Sequence, residues 1–301
     1  FKDGKTVVRN PLRPALADLD ALPLPDKSLF EKDVNYRDDY VIITSRGCVY
    51  NCSYCCESSL NRLYGKKYFR RRSADSVIRE LEIMKDRYQF KAVMFNDALF
   101  FTNKSWLRQL MAQYRKKIAV PFRCFGKVTD LDDETCQILK DSGCYCIEFG
   151  MQTVNEELKK RVLNRRETNQ QALAAFQRCD KYQLRYDIDH MFGLPGESEA
   201  DHINALQYYS QLKYLNRIKC HNLTFFPETA IIETACEQGS LDSADMERIC
   251  QGEITDFFHG DFIKDRSLKV AKENFSKYFK LLPVIPRSEE RRVGKECATG
   301  C

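Results

Sequence analysis

The strongest chemical signal in the chain is the run Gly47-Cys48-Val49-Tyr50-Asn51-Cys52-Ser53-Tyr54-Cys55. Three thiols spaced C-x3-C-x2-C fit on one short loop. Each can take one iron of a 4Fe–4S cube, which leaves the fourth iron free for a small molecule offering an amine and a carboxylate. Thiolate ligation favours iron–sulfur clusters or zinc, but zinc sites usually pair two C-x2-C units or add histidines. The adjacent Cys56 is expected to be a poor ligand for the same cube, because its Cβ should point away from that of Cys55.

The loop follows an apolar run at 40–44, and five more strand-like runs occur at 92–95, 122–125, 144–149, 185–191 and 218–225. Helical periods separate them. Val77, Ile78, Leu81 and Met84 share one face, Leu107, Leu110, Met111 and Tyr114 another, and Ala172, Ala175, Phe176 and Cys179 repeat the spacing. The segment 132–142 opens with acidic residues and stops at Gly143, and Ser198 with Asp201 has the pattern of a capping box. Six strand–helix alternations predict parallel strands with helices outside them. Periodicity alone fits an open sheet or a six-stranded partial barrel. Beyond Phe226 the pattern is helical, at 229–238, 243–251 and 268–282, and no internal repeat is present.

The cysteine loop, with an aromatic residue before its third cysteine, resembles the signature of the radical S-adenosylmethionine (radical SAM) superfamily. Three further motifs follow in the family's order. The resemblance implies an α/β fold, a partial (β/α)6 TIM-type barrel with a helical C-terminal segment. It also implies a 4Fe–4S cluster on Cys48, Cys52 and Cys55, and SAM chelating the open iron. After the second strand, Asn96-Asp97 sit where the family contacts the methionyl amine. After the fourth, Glu148-Phe149-Gly150-Met151-Gln152-Thr153 is similar to a G-x-[QE]-S segment, so Gln152 would address the ribose hydroxyls and Glu148 would share that duty. Arg165 resembles the arginine that pairs the SAM carboxylate, with Arg161 and Arg166 as competitors. Gly193-Leu194-Pro195-Gly196-Glu197-Ser198 looks like the element that accommodates adenine, with Gly193, Gly196 and Glu197 as its contacts. The implied activity is reductive cleavage of SAM to a 5′-deoxyadenosyl radical, which modifies a substrate inside the barrel.

A second resemblance concerns the proline-rich 1–27, with Pro11, Pro14, Pro23 and Pro25, which reads as an extended tether. It is similar to the linker after the cobalamin-binding domain of cobalamin-dependent radical SAM proteins. The expectation is therefore a preceding domain, cobalamin as a further cofactor, and C-methylation or ring rearrangement as the reaction. The barrel would occupy 28–228 and the helical segment 229–286. Residues 287–301 contain RSEERRVGKEC, which reads as a translated sequencing adapter and not as native protein.

With 43% hydrophobic and 30% charged residues among 301, the chain has the composition of a soluble globular protein. No run approaches the ~18 apolar residues of a membrane span. Forty-eight basic against 43 acidic residues give a net charge of +5, too dispersed to imply nucleic acid. Fourteen cysteines without a secretory signal read as reduced thiols in the cytoplasm. The expected partners are a small-molecule substrate and a low-potential electron donor such as flavodoxin or ferredoxin. Two other classes compete: a non-catalytic iron–sulfur or zinc module, and a methylthio-transferring RNA modifier, which would need a second cluster domain. Cys124, Cys144 and Cys146 read as buried packing residues, His221 as structural, and Arg70-Arg71-Arg72 as a solvated turn before a helix.

Overall fold

Six parallel strands pair in the order in which the chain makes them: β1 (Asp39–Ile42), β2 (Ala92–Phe95), β3 (Phe122–Gly126), β4 (Cys144–Gln152), β5 (Arg185–Phe192) and β6 (Leu215–Asn222). This computed structural model describes residues 2–4, 6–7, 10–65, 68–252 and 266–285. The adapter-like 287–301 lies outside the described residues.

The strand order settles what periodicity left open. A doubly wound sheet reverses direction at a switch point; this one never does. Right-handed crossovers then place every helix on the same face, and the other face becomes an interior. That is the wall of a partial barrel, with β1 and β6 as its two edges. The crossover helices are α1 (Cys56–Tyr64), α2 (Ala74–Tyr88), α3 (Lys104–Lys117), α4 (Asp133–Asp141), α5 (Glu156–Arg161), α6 (Asn169–Lys181) and α7 (Glu199–Ser210). Their starts follow from polar N-caps: Ser73, Asn103, Asp132 and Thr168 each accept a backbone N–H of the first turn. At α7 the Asp201 carboxylate accepts the Ser198 N–H at 2.8 Å.

Outward residues of the strands pack on the helices. Phe149 and Tyr186 sandwich Phe176 of α6, with ring centroids 5.8 and 4.7 Å away. Three helices close the described chain: α8 (Ile231–Glu237), α9 (Ser243–Cys250) and α10 (Arg266–Leu281). Helix α10 joins the main core through Ala271, Phe275 and Phe279, while α8 and α9 pack on Leu158, Leu163, Met191 and Leu223 in a second cluster.

Three expectations change. Strand β4 runs to Gln152, so the segment expected after it is its own C-terminal end. Strand β6 lies three residues earlier than its apolar run suggests, because Leu223 and Phe225 enter the second cluster. The last part of the proline-rich segment is anchored on the barrel: Leu19 is buried, Asp20 accepts the Ser73 N–H at 3.0 Å, and Lys27 donates to the Val41 carbonyl of the edge strand while its ammonium lies 3.8 Å from the Tyr40 ring centroid.

Candidate functional site

Strand β1 delivers the chain to the cysteine loop, and several residues hold the loop's path. Ser45–Arg46 pairs antiparallel with Arg70–Arg71 just before Gly47. Gly47 has φ +88°, and a Cβ there would stand 3.0 Å from the Tyr68 carbonyl oxygen, so only glycine makes this turn without strain. The Asn61 amide of α1 donates to the Cys48 carbonyl at 2.7 Å, and the Asn164 amide to that of Asn51 at 2.7 Å. Ser53 donates its N–H to Leu163 at 3.0 Å and its hydroxyl to Val162 at 2.5 Å, while its carbonyl accepts from Ile231 at 3.1 Å. The loop is thus bound to α1, to the turn after α5 and to the start of α8.

Cys48, Cys52 and Cys55 are all partly exposed on this loop. Burial pushes the Cys48 thiol up to about 11 and the Cys55 thiol up to about 12, and neighbouring thiols of the set add to both shifts. Such a group becomes a thiolate set only when metal offsets the charge. Cys56 is exposed on the first turn of α1.

Arg165 lies against the loop from the other side. Its Nη1 donates to Tyr54 Oη at 3.0 Å, its Nη2 to the Gly150 carbonyl at 2.6 Å, and its Nε to the Glu167 carboxylate. Burial alone would lower its pKa; Tyr54 and the Glu167 carboxylate more than offset this and raise it. Glu167 is also 3.3 Å from Lys127, whose ammonium sits 3.6 Å from the Tyr50 ring centroid. Of the three arginines that compete in the sequence, Arg165 alone is buried; Arg161 and Arg166 are exposed. Three of its five N–H donors serve Tyr54, Gly150 and Glu167, so it braces the loop.

Asp97 is likewise a brace. Its carboxylate accepts from the Thr44 N–H at 2.9 Å, the Thr44 hydroxyl at 3.0 Å and the Ser45 hydroxyl at 2.5 Å. Burial raises its pKa against these hydrogen bonds. Its neighbour Asn96 is exposed just after β2. Arg70, Arg71 and Arg72 correct a further expectation, since none is simply solvated. They donate to the Leu16 carbonyl at 2.8 Å, the Leu99 carbonyl at 2.5 Å and the Glu80 carboxylate at 2.5 Å.

Glu148 and Gln152 stand on β4, with Gln152 at φ +65° beside the irregularity where β4 meets β5. Glu148 accepts from Lys219 of β6, and Arg217 reaches Asp187 at 2.7 Å. His221 Nε2 is 3.5 Å from Asp189. Burial and the nearby Asp189 raise the Glu148 pKa, against Lys219. Gly193 and Gly196 take φ of +81° and +76° in the turn after β5. Glu197 folds back onto that turn and accepts from the Gly193 N–H at 2.6 Å and the Leu194 N–H at 3.3 Å. It lies beside His190 and His202. Cys124, Cys144 and Cys146 are buried, and none of the described cysteines forms a disulfide.

Of the residues around the loop, Asn61, Lys127 and Glu167 belong to no motif of the sequence, and only the fold brings them to the cysteines.

A model of the radical SAM superfamily matches residues 42–209. An uncharacterized methyltransferase of Pyrococcus horikoshii is 26% identical over 217 residues, 70% of this chain and 46% of that protein. The heme chaperone HemW of Buchnera aphidicola is 25% identical over 194 residues, 60% of this chain and 50% of its own. The chain therefore spans about half the length of the relatives it matches. The radical SAM methyltransferase TsrM of Kitasatospora setae, solved with cobalamin and a [4Fe-4S] cluster, has the same fold, with TM-score 0.61 and 16% identity over 84% of this chain and 52% of that one. No helix among the described residues is long and apolar enough to cross a membrane.

Proposed function

The chain belongs to the radical SAM superfamily of enzymes, and from that premise we propose that it cleaves S-adenosylmethionine reductively and methylates carbon in a small-molecule substrate. The observation that carries the proposal is the C-x3-C-x2-C loop, pinned on three sides at the mouth of β1 within the residues that the radical SAM model matches. When bound, the cluster supplies the electron that breaks the SAM C–S bond.

The chain's own residues hold and orient. Cys48, Cys52 and Cys55 ligate three irons, and Lys127 and Arg165 offset the negative charge of the thiolate set. Arg165 and Asp97 act as positioning residues, through Tyr54 and through Thr44 and Ser45. Asn96, Glu148 and Gln152, at strand ends around the same mouth, are the proposed SAM contacts, and the turn at Gly193 and Gly196 offers backbone to the adenine. Paired charges on β4, β5 and β6 (Glu148 with Lys219, Asp187 with Arg217) suit a polar substrate.

Methyl transfer is favoured by the methyltransferase description of the Pyrococcus relative. Cobalamin would come from a preceding domain. A cleft of about 740 Å³ beside Cys48, lined by Arg62, Lys160 and Arg161, suits an acidic electron carrier such as flavodoxin or ferredoxin. An oxygen-sensitive cluster and unpaired cysteines suit the cytoplasm.

The test is anaerobic reconstitution of the chain with iron, sulfide, SAM and a strong reductant. About four irons per chain, an EPR signal of the reduced cluster that SAM perturbs, and formation of 5′-deoxyadenosine are expected. All three should vanish in Cys52→Ala. Metal retained without any SAM turnover would point to a bracing module instead. With cobalamin supplied to the chain joined to its preceding domain, S-adenosylhomocysteine should accumulate as the mark of methyl transfer.

A further inference from the structure

On the outer face of the barrel, away from the charged strand faces, three potential metal ligands meet in an apolar shell. His190 stands near the end of β5, Glu197 in the turn that follows, and His202 on α7. One ligand atom from each lies within 4.8 Å of the others, and all three residues are buried.

Each of the three also leaves a buried polar atom with no hydrogen-bond partner: His190 Nε2, Glu197 Oε1 and His202 Nδ1. One orphan can be strain, but an orphan on each of three residues whose ligand atoms lie within 4.8 Å of one another asks for a common partner. His190 Nδ1 is 3.0 Å from Tyr209 Oη, so a proton on Nδ1 donated to that oxygen leaves the Nε2 lone pair free. A second hydrogen bond of this kind is how metal-binding histidines have their tautomer fixed. His202 Nε2 lies 3.8 Å from Glu197 Oε2. Aromatic rings exclude water around the group: Phe279 and Phe275 of α10 stand 4.7 Å from His190 and 5.5 Å from His202, and Phe192 stands 4.8 Å from His202.

We propose that His190, Glu197 and His202 bind one zinc ion, which fastens the turn at 193–198 and helix α7 to β5 beneath α10. Two imidazoles and one carboxylate are a donor set that zinc accepts in four-coordinate geometry, a water completing it. Bonds of about 2 Å would draw the ligand atoms in to roughly 3.5 Å apart, a closure that small side-chain rotations supply. The ion lies outside the barrel and plays no part in SAM chemistry. Its role is structural, holding the turn that carries Gly193 and Gly196.

The experiment uses the full chain with its cluster assembled, so that Cys48, Cys52 and Cys55 are occupied. After incubation with zinc chloride and desalting, zinc and iron are counted by mass spectrometry. About one zinc beside about four irons is expected, with a rise in Tm of about 5 °C over the zinc-free protein. His190→Gln and Glu197→Gln should each retain at least ten-fold less zinc at unchanged iron, with no zinc-dependent rise in Tm. Glu197→Gln keeps an oxygen for the Gly193 N–H, so it separates loss of a ligand from loss of the turn. Absence of zinc from the wild-type chain, or wild-type zinc retention by either variant, overturns the proposal.

Discussion

Arg165 Nη1 donates to Tyr54 Oη across 3.0 Å, joining the turn after α5 to the residue directly before Cys55. The same guanidinium holds the Gly150 carbonyl and the Glu167 carboxylate. One side chain therefore ties the cysteine loop to the barrel wall that follows it.

Tyr54→Phe removes the acceptor and leaves a buried N–H unpaired, which costs about 1–3 kcal/mol. A lower Tm and slower iron incorporation are expected. Arg165→Met should cost more, about 3–5 kcal/mol, because the buried Glu167 loses its closest counter-charge. Thermal unfolding of the two variants should rank them in that order; the reverse order would remove the bracing role.

Asp97→Asn cannot offer two carboxylate oxygens to the three donors of Thr44 and Ser45. It should unfold about 1–3 kcal/mol more easily and hold less iron. Exposed Asn96 behaves differently: Asn96→Ala should leave stability within about 0.5 kcal/mol and weaken SAM binding. Equilibrium dialysis of SAM beside thermal scans separates the two positions, and weakened SAM binding at full stability in Asp97→Asn would restore it as a direct contact.

Cys56→Ala should keep about four irons and a SAM-perturbed EPR signal, since its thiol is exposed on α1 and outside the ligand set. Iron analysis of Cys56→Ala and Cys55→Ala in parallel checks this; equal loss in both would redraw the set.

Lys159 is buried on α5, donating to the Asn169 side chain at 2.6 Å, and burial lowers its pKa to about 8. The unfolded chain holds that proton up to about pH 10.4. The native state therefore binds fewer protons between the two values, and its stability from this group rises with pH there and is lost as pH falls through about 8. Lys159→Met removes the slope. In urea titrations, the wild-type stability relative to this variant should grow by about 2 kcal/mol from about pH 7.5 to about pH 10. A flat difference would mean that the ammonium is solvated.

How much the sequence revealed depended on distance along the chain. Adjacent signals were readable: the cysteines on one loop after the first strand, the number and order of the six strands and the capping of α7 follow local pattern. Choosing Arg165 over Arg161 and Arg166 needed burial, which no spacing encodes. Asp97 and Glu197 were recognisable as residues of a motif, but their partners could not be foreseen, because Thr44 lies 53 positions from Asp97 and His190 and His202 reach Glu197 from a strand and a helix. Strand β6 was misplaced by three residues because the apolar run 223–225 serves a different cluster, and hydrophobicity does not say which core a residue enters.

The proline-rich segment is joined to the cysteine loop by hydrogen bonds. Arg70 holds the Leu16 carbonyl and pairs with Arg46, and Arg46 directly precedes Gly47. Two such steps therefore couple the chain at Leu16 to the turn that opens the loop, so the two should order together.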